Sequence, residues 1–252
     1  MDVEYIQYPK NGLKKEQNIL QDHLVSVFDF YNAQADPRLH PEPLKWSYLN
    51  RNSGYGLDGL CFVVDEKNPP ENDNNSVFKK DEFEFFTKND VDIVFFQTVR
   101  HETKKPVALD QLLYHELWHL IERKNDILHT DMVFEGSAEL ASLMCSHTNW
   151  KEYIDSTMKR YAQNELFNAK KGMDENVLQA HNFFYLVPTK LLSKYCSSLP
   201  DLLDPYKRTG AIMEFDKVFA EYIKLNTDNP DVVINILSFL PKSMRKELEL
   251  NW

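Results

Sequence analysis

The sequence has little glycine and little cysteine, and each shortage excludes a class of protein. Its 252 residues include only 7 glycines and 3 cysteines, and neither GxGxxG nor GxxxxGK[ST] occurs, so a glycine-rich phosphate-binding loop is excluded. The cysteines, Cys61, Cys145 and Cys196, are far apart and form no CxxC pair. We therefore expect buried free thiols, neither a disulfide framework nor a cysteine metal site.

Long apolar runs are also missing. The longest, residues 232–240, has about half of the ~20 residues that a membrane-spanning helix needs. Residues 1–5 have neither the basic region nor the apolar segment that opens a signal peptide. These features predict a cytoplasmic protein, although export by a non-classical route stays open.

The sequence has fewer basic residues than acidic residues. The chain has 29 Lys+Arg and 39 Asp+Glu, a formal net charge of −10. Binding to nucleic acid or to an anionic membrane depends on clustered lysine and arginine, so we expect neither as a partner. Apolar residues at 42% and charged residues at 27% are ordinary for a globular protein, which excludes a mainly disordered chain.

What the sequence does contain is two halves of different pattern. In residues 1–105 the pattern predicts one helix, over about 13–32, and five strands, at 3–8, 45–49, 60–65, 83–87 and 91–99. Residues 106–252 have helical patterns, which predict helices over about 107–124, 132–147, 150–170, 174–197, 211–225 and 230–249. We predict an α+β fold in which an N-terminal mixed lobe and a helical lobe form one integrated domain.

Residues 115–119 read His-Glu-x-x-His. On a helix, His115 and His119 lie one turn apart on the same face, so both imidazoles can bind one metal ion. Zinc lowers the pKa of a bound water from 15.7 to roughly 7, and Glu116 is placed to accept its proton as a general base. The flanking residues are apolar, so two histidines and a glutamate on this helix are costly unless they are paired or metal-bound.

A catalytic zinc ion takes a third protein ligand. Beginning at residue 134 the chain reads Phe-Glu-Gly-Ser-Ala-Glu, and a helix returning antiparallel to the first could present Glu135 to the metal. Glu139 is one turn further on the same face, where it can accept a hydrogen bond from a ligand histidine. His129 is the alternative third ligand. The metzincin pattern needs Gly at position 122 and His at 125, where this chain has Glu and Asn, so that family is excluded.

His-Glu-x-x-His followed by Glu-Gly-x-Ala-Glu resembles the gluzincin metallopeptidases, the clan of thermolysin and the zinc aminopeptidases. The resemblance covers residues 91–140. The sequence differs from the family pattern at Phe134, where the family commonly has Asn. It implies a zincin-like fold with the active-site helix in a cleft. It also implies one zinc ion on His115, His119 and Glu135, with Glu116 as general base and Glu139 behind a ligand histidine.

The resemblance further implies a hydrogen-bond donor to the oxyanion, on a later helix. In related small domains the helix that provides this donor ends in Tyr-Gly. When Tyr195-Cys196 is aligned with that Tyr-Gly, His181 falls at the position of the catalytic tyrosine, and Tyr185 lies one turn further along the helix. We predict that one of the two is this donor, and the alignment favours His181. Packing or solvent exposure is the alternative for both.

Two features bear on specificity. The zinc aminopeptidases hold the substrate amine with Gly-x-Met-Glu-Asn upstream of the zinc helix. The similar string at 210–214 lies downstream and has one extra residue, so endopeptidase activity is favoured. The strand at 91–99 stands where the family has an edge strand that pairs with substrate, but a central core strand fits it equally well.

These observations predict a zinc-dependent metallopeptidase that acts on peptide or protein substrates. The alternative is a non-catalytic, zinc-stabilised binding or regulatory protein that retains the fold. Glu116 argues against it, because a structural site needs no general base and is commonly closed by four protein ligands. A third hypothesis is a latent enzyme whose tail, residues 248–252, plugs the cleft.

Overall fold

The computed structural model describes residues 3–9, 15–40, 43–51, 61–64, 78–96, 106–127, 133–162 and 175–225. Within helices and strands, it does not describe the side chains of 15–16, 61–63, 106–108, 161–162, 175–182 and 225. The chain forms two compact units, residues 1–124 and 125–252. Of the described residues, no helix is both long enough and apolar enough to cross a membrane.

The first unit combines a small sheet with helices. Its strands are β1 (Val3–Tyr5), β2 (Leu44–Leu49), β3 (Cys61–Val63) and β4 (Ile93–Phe96). Its helices are α1 (Lys15–Asn32), α2 (Lys80–Lys88) and α3 (Pro106–Lys124), with a short 3-10 helix at Pro37–Leu39. Sheet and helices together confirm the predicted mixed α+β class.

The sheet has the order β1-β2-β4-β3. The β1–β2 and β2–β4 pairs are parallel, and β3 pairs antiparallel with β4. Strand β4 is therefore bonded on both sides, and all four of its residues are buried. The edge-strand hypothesis for residues 91–99 is wrong for this segment, because an interior strand has no free backbone groups for a peptide to pair with.

The strand predicted at 83–87 is a helix, α2. The sequence alternates apolar and polar there, but Phe78, Glu82 and Phe86 are spaced by four residues and all are buried. The Glu82 carboxylate accepts the Lys79 backbone N–H at 2.8 Å and is bound by the Arg51 guanidinium. This cap satisfies a backbone donor of the first turn, and so favours a helix over a strand.

Helix α3, which carries the His-Glu-x-x-His motif, is fixed to α1 and to the sheet. The Tyr31 hydroxyl donates to the Tyr114 carbonyl at 3.0 Å, and His23 Nδ1 lies 2.6 Å from Asp110 Oδ1. At the end of α3, Arg123 donates to Asp92, just before β4, at 3.1 Å. The first unit thus holds the motif helix near its middle and near its C-terminal end.

The second unit is helical. It contains α4 (Phe134–Ser146), α5 (Trp150–Ala162), α6 (Glu175–Tyr195), α7 (Leu199–Leu202) and α8 (Pro205–Leu225). Aromatic rings of α6 and α8 pack together, for example Phe183 against Phe215, with centroids 5.6 Å apart. The helices predicted at 132–147, 150–170 and 174–197 are confirmed where the chain is described, and 230–249 lies outside the described residues.

Helix α8 begins six residues before the predicted start at 211. Pro205 occupies the first helical position, where its missing N–H is no loss. The Asp204 carboxylate accepts the Tyr206 N–H at 2.9 Å, which caps the helix. Gly210 lies within the helix because the ring of Tyr195 packs there, and an added Cβ would come within 2.8 Å of that ring.

The prediction of a buried free thiol is confirmed for Cys196. Cys145 is half-buried and Cys196 is buried, and burial raises the pKa of the Cys196 thiol to about 11. A thiol with that pKa is protonated at neutral pH and is a poor nucleophile. The side chain of Cys61 lies outside the described residues.

Candidate metal centre

Two buried histidines of α3 point their ring nitrogens at each other. His115 is 8% exposed and His119 is 6% exposed, and their Nε2 atoms are 3.2 Å apart. A tetrahedral zinc ion with Zn–N bonds of about 2.0–2.1 Å holds two ligand nitrogens about 3.3–3.4 Å apart. The two Nε2 atoms are therefore already spaced as ligands of one ion.

The histidines are buried because α3 is apolar on most of its surface. Five side chains around them are almost completely buried: Leu113, Leu117, Trp118, Leu120 and Ile121. In such surroundings an imidazole must form a hydrogen bond or bind a metal to offset its lost hydration. The prediction of a buried motif helix is confirmed.

Sequence reasoning missed a third polar residue on this face. Glu122 is three residues after His119 and seven after His115, so it shares their helix face. It is 0% exposed, and its Oε2 lies 3.5 Å from His119 Nδ1. The sequence did contain a signal for this residue, an acidic side chain at helical spacing from both histidines within an apolar run. Position 122 was considered only as a departure from the metzincin pattern.

Glu135 completes a group of three side chains that could hold a metal ion. One ligand atom each of His115, His119 and Glu135 all lie within 4.8 Å of one another. This group could hold a metal ion, and two imidazoles with one carboxylate match the donor set of many catalytic zinc sites with three protein ligands. The structure brings together the three ligands that the resemblance implied.

Gly136, next to Glu135 in the first turn of α4, lets α6 approach closely. A Cβ at this position would lie 2.3 Å from Pro188 Cβ and 2.6 Å from Thr189 N. The Thr189 hydroxyl oxygen lies 3.2 Å from the Gly136 carbonyl oxygen. The glycine of the Glu-Gly-x-Ala-Glu string thus has a packing role, which holds the turn containing Glu135 against α6.

The two predicted oxyanion donors lie on α6. Tyr185 is half-buried, and its carbonyl accepts the Thr189 hydroxyl at 2.5 Å. Tyr185 is therefore one turn before the residue that contacts α4 beside Glu135. His181 belongs to α6, but its side chain lies outside the described residues. The role of either residue stays a prediction.

The other predicted site residues have less defined surroundings. Glu116 on α3 and Glu139 on α4 are both half-buried, and their roles as base and as histidine partner stay predictions. His129 lies outside the described residues, so the alternative ligand is untested. The tail at 248–252 also lies outside them.

The string at 210–214 has a structural role. Glu214 accepts hydrogen bonds from Lys194 at 2.7 Å and from the Tyr195 hydroxyl at 2.6 Å. These contacts and the close approach at Gly210 join α8 to the end of α6. The string therefore packs two helices of the second unit together, in keeping with a chance likeness to the amine-binding motif.

Comparison with known proteins adds no relative to these observations. The chain matches no family model, no curated protein and no solved structure.

Proposed function

We propose that this chain is a zinc-dependent peptidase with a gluzincin-like site. The observation that carries the proposal is the convergence of His115, His119 and Glu135, whose ligand atoms lie within 4.8 Å of one another. These residues come from the two motifs that resemble the gluzincins, and a chance His-Glu-x-x-His gives no reason for a distant glutamate to join the histidines. The mixed α+β fold is compatible with a zincin-like arrangement.

The residues divide the chemistry between them. A zinc ion held by His115, His119 and Glu135 supplies a Lewis acid and an activated water when it is bound. Glu116 follows the first ligand and is not a member of the ligand group. It takes the proton of the attacking water and returns it to the amine that leaves the cleaved peptide bond.

An oxyanion donor on α6 completes the proposed site. The close contact at Gly136 brings Pro188 and Thr189 of α6 against the residue next to Glu135. Tyr185 lies one helical turn before Thr189, so its hydroxyl is the better supported donor among described side chains. His181 is the second candidate, one further turn away on α6.

The proposed substrate is an internal peptide bond. The sequence has no amine-binding motif upstream of the motif helix, and the similar string at 210–214 joins α6 to α8. Strand β4 is interior and does not hold a peptide by strand pairing. Substrate alignment is therefore assigned to side chains and loops near α3 and α4.

The experiment that tests this function combines metal analysis with peptide cleavage. The purified chain is expected to contain one zinc ion and to cleave members of a diverse peptide library. Glu116→Gln should keep the zinc and the fold but abolish cleavage, because Glu116 is the base and not a ligand. Glu84→Gln is the matched control, since Glu84 is an exposed carboxylate on α2, and it should cleave at the wild-type rate.

The outcomes separate the two functions. Zinc binding with no cleavage, in the full chain and after removal of residues 248–252, favours the non-catalytic protein. Cleavage that survives Glu116→Gln refutes the proposed role of Glu116. A chain that binds no zinc refutes the proposal.

A further inference from the structure

Glu122 is a buried carboxylate next to the proposed metal ligands, and the proposed site gives it no role. Its side chain is 0% exposed and lies in the apolar surroundings of α3. An ionised carboxylate in such a place loses its hydration, and the protein must supply a compensating charge or hydrogen bond.

Another buried carboxylate of the first unit, Glu82, has its charge compensated by nearby donors. Glu82 is 4% exposed, and the Arg51 guanidinium and the Lys79 N–H both bind it. At Glu122 one neighbouring group is the imidazole of His119, with Nδ1 at 3.5 Å from Oε2.

The direction of the His119 ring is the second observation. Its Nε2 faces His115 Nε2 at 3.2 Å, so Nδ1 points to the other side, where Glu122 lies. When Nε2 binds a metal ion, the remaining ring proton must be on Nδ1, and that N–H is the natural donor to a carboxylate.

We infer that Glu122 is a positioning residue for the metal: it accepts the His119 Nδ1–H and thereby holds Nε2 toward the ion. The inference rests on the proposed zinc site. It differs from the implied role of Glu139, since Glu122 is on the motif helix itself. It gives position 122 a function within the sequence His-Glu-x-x-His-x-x-Glu.

The test compares two buried carboxylates of the first unit. Glu122→Gln keeps the shape of the side chain but removes its charge, and Glu82→Gln does the same at the carboxylate that binds Arg51 and the Lys79 N–H. Zinc dissociation constants are measured by competition with a chromophoric chelator, and the stability of the metal-free proteins is measured by urea unfolding.

Glu122→Gln is expected to weaken zinc binding by about 10–100-fold without lowering the urea midpoint of the metal-free protein. Glu82→Gln is expected to lower that midpoint, because it loses the Arg51 ion pair, and to leave the zinc dissociation constant within about twofold of wild type. A merely structural role for Glu122 would give the Glu82 result. Zinc affinity within about twofold of wild type in Glu122→Gln therefore overturns the inference.

A measurement on the wild-type protein covers the case in which Glu122→Gln does not fold. In the zinc-loaded chain with ¹⁵N-labelled histidine, His119 should show a protonated Nδ1 and a metal-bound Nε2. The signal is identified by its loss in His119→Gln. Zinc on Nδ1 overturns the inference while leaving a zinc site in place. A wild-type chain that takes up no zinc instead refutes the proposed function, and this inference with it.

Discussion

Gly136→Ala is a sharp test of how the second unit holds Glu135. In a helix interior, alanine is normally more stable than glycine by roughly 0.5–1 kcal/mol. At this position the new Cβ would lie 2.3 Å from Pro188 Cβ, 2.6 Å from Thr189 N and 2.8 Å from Pro188 C. Carbon atoms in good contact are about 3.5–4.0 Å apart, so the overlap exceeds about 1 Å.

No side-chain rotation can remove this steric overlap. Two of the three atoms are backbone atoms of α6, and the third belongs to the proline ring, which cannot rotate away. The helices must separate, and overpacking of this kind costs about 1–3 kcal/mol. With the upper value and a helix-propensity gain of about 1 kcal/mol, the net loss is about 2 kcal/mol. For a chain of this size that lowers Tm by roughly 4–8 °C.

Gly210→Ala is the matched control. Its Cβ would meet the Tyr195 ring at 2.8–3.1 Å, and a side chain can move where a backbone cannot. We expect its Tm to stay within about 4 °C of wild type, the size of a 1 kcal/mol change. Thermal melts followed by circular dichroism compare the variants. If Gly136→Ala melts at or above the wild-type temperature, the close packing of α4 on α6 is refuted.

The remaining predictions concern the site. Glu135→Ala should weaken zinc binding far more than His129→Ala, measured by chelator competition, and the reverse order would refute the gluzincin-like ligand set. Glu139→Ala should cost about 10–100-fold in zinc affinity or activity if it orients a ligand histidine, and an effect below about twofold on both would place it outside the site. Tyr185→Phe or His181→Ala should lower kcat by about 10²-fold or more with zinc retained. Wild-type turnover in both would place the oxyanion donor elsewhere.

The helices of the motif region could be predicted from the sequence because their signals are local. Apolar residues at helical spacing and an initial proline define α3, and the prediction of 107–124 is within one residue of the observed start. The spacing of His115 and His119 on one face follows from helix geometry alone. A second helix that returns beside the first made Glu135 a candidate third ligand, with His129 as the alternative.

The errors came from non-local interactions. The Phe83–Phe86 region has the composition of a strand, and part of what stabilises the helix there is the contact of Glu82 with Arg51, thirty-one residues away. The sequence predicts a strand at 60–65, where β3 lies, but not its pairing with the second side of β4. Local sequence patterns do not give the order of strands in a sheet.

Burial depth divides the carboxylates near the motifs into two classes with different chemistry. A general base must exchange protons with water and with the leaving amine, so it has to touch the substrate side of the site. Glu116, Glu135 and Glu139 are half-buried, whereas Glu122 is 0% exposed. Glu122 is therefore excluded as the base even though it is close to His119. Its burial suits a fixed hydrogen-bond acceptor next to a ligand histidine, and the partial exposure of Glu116 is compatible with the role as base that we propose for it.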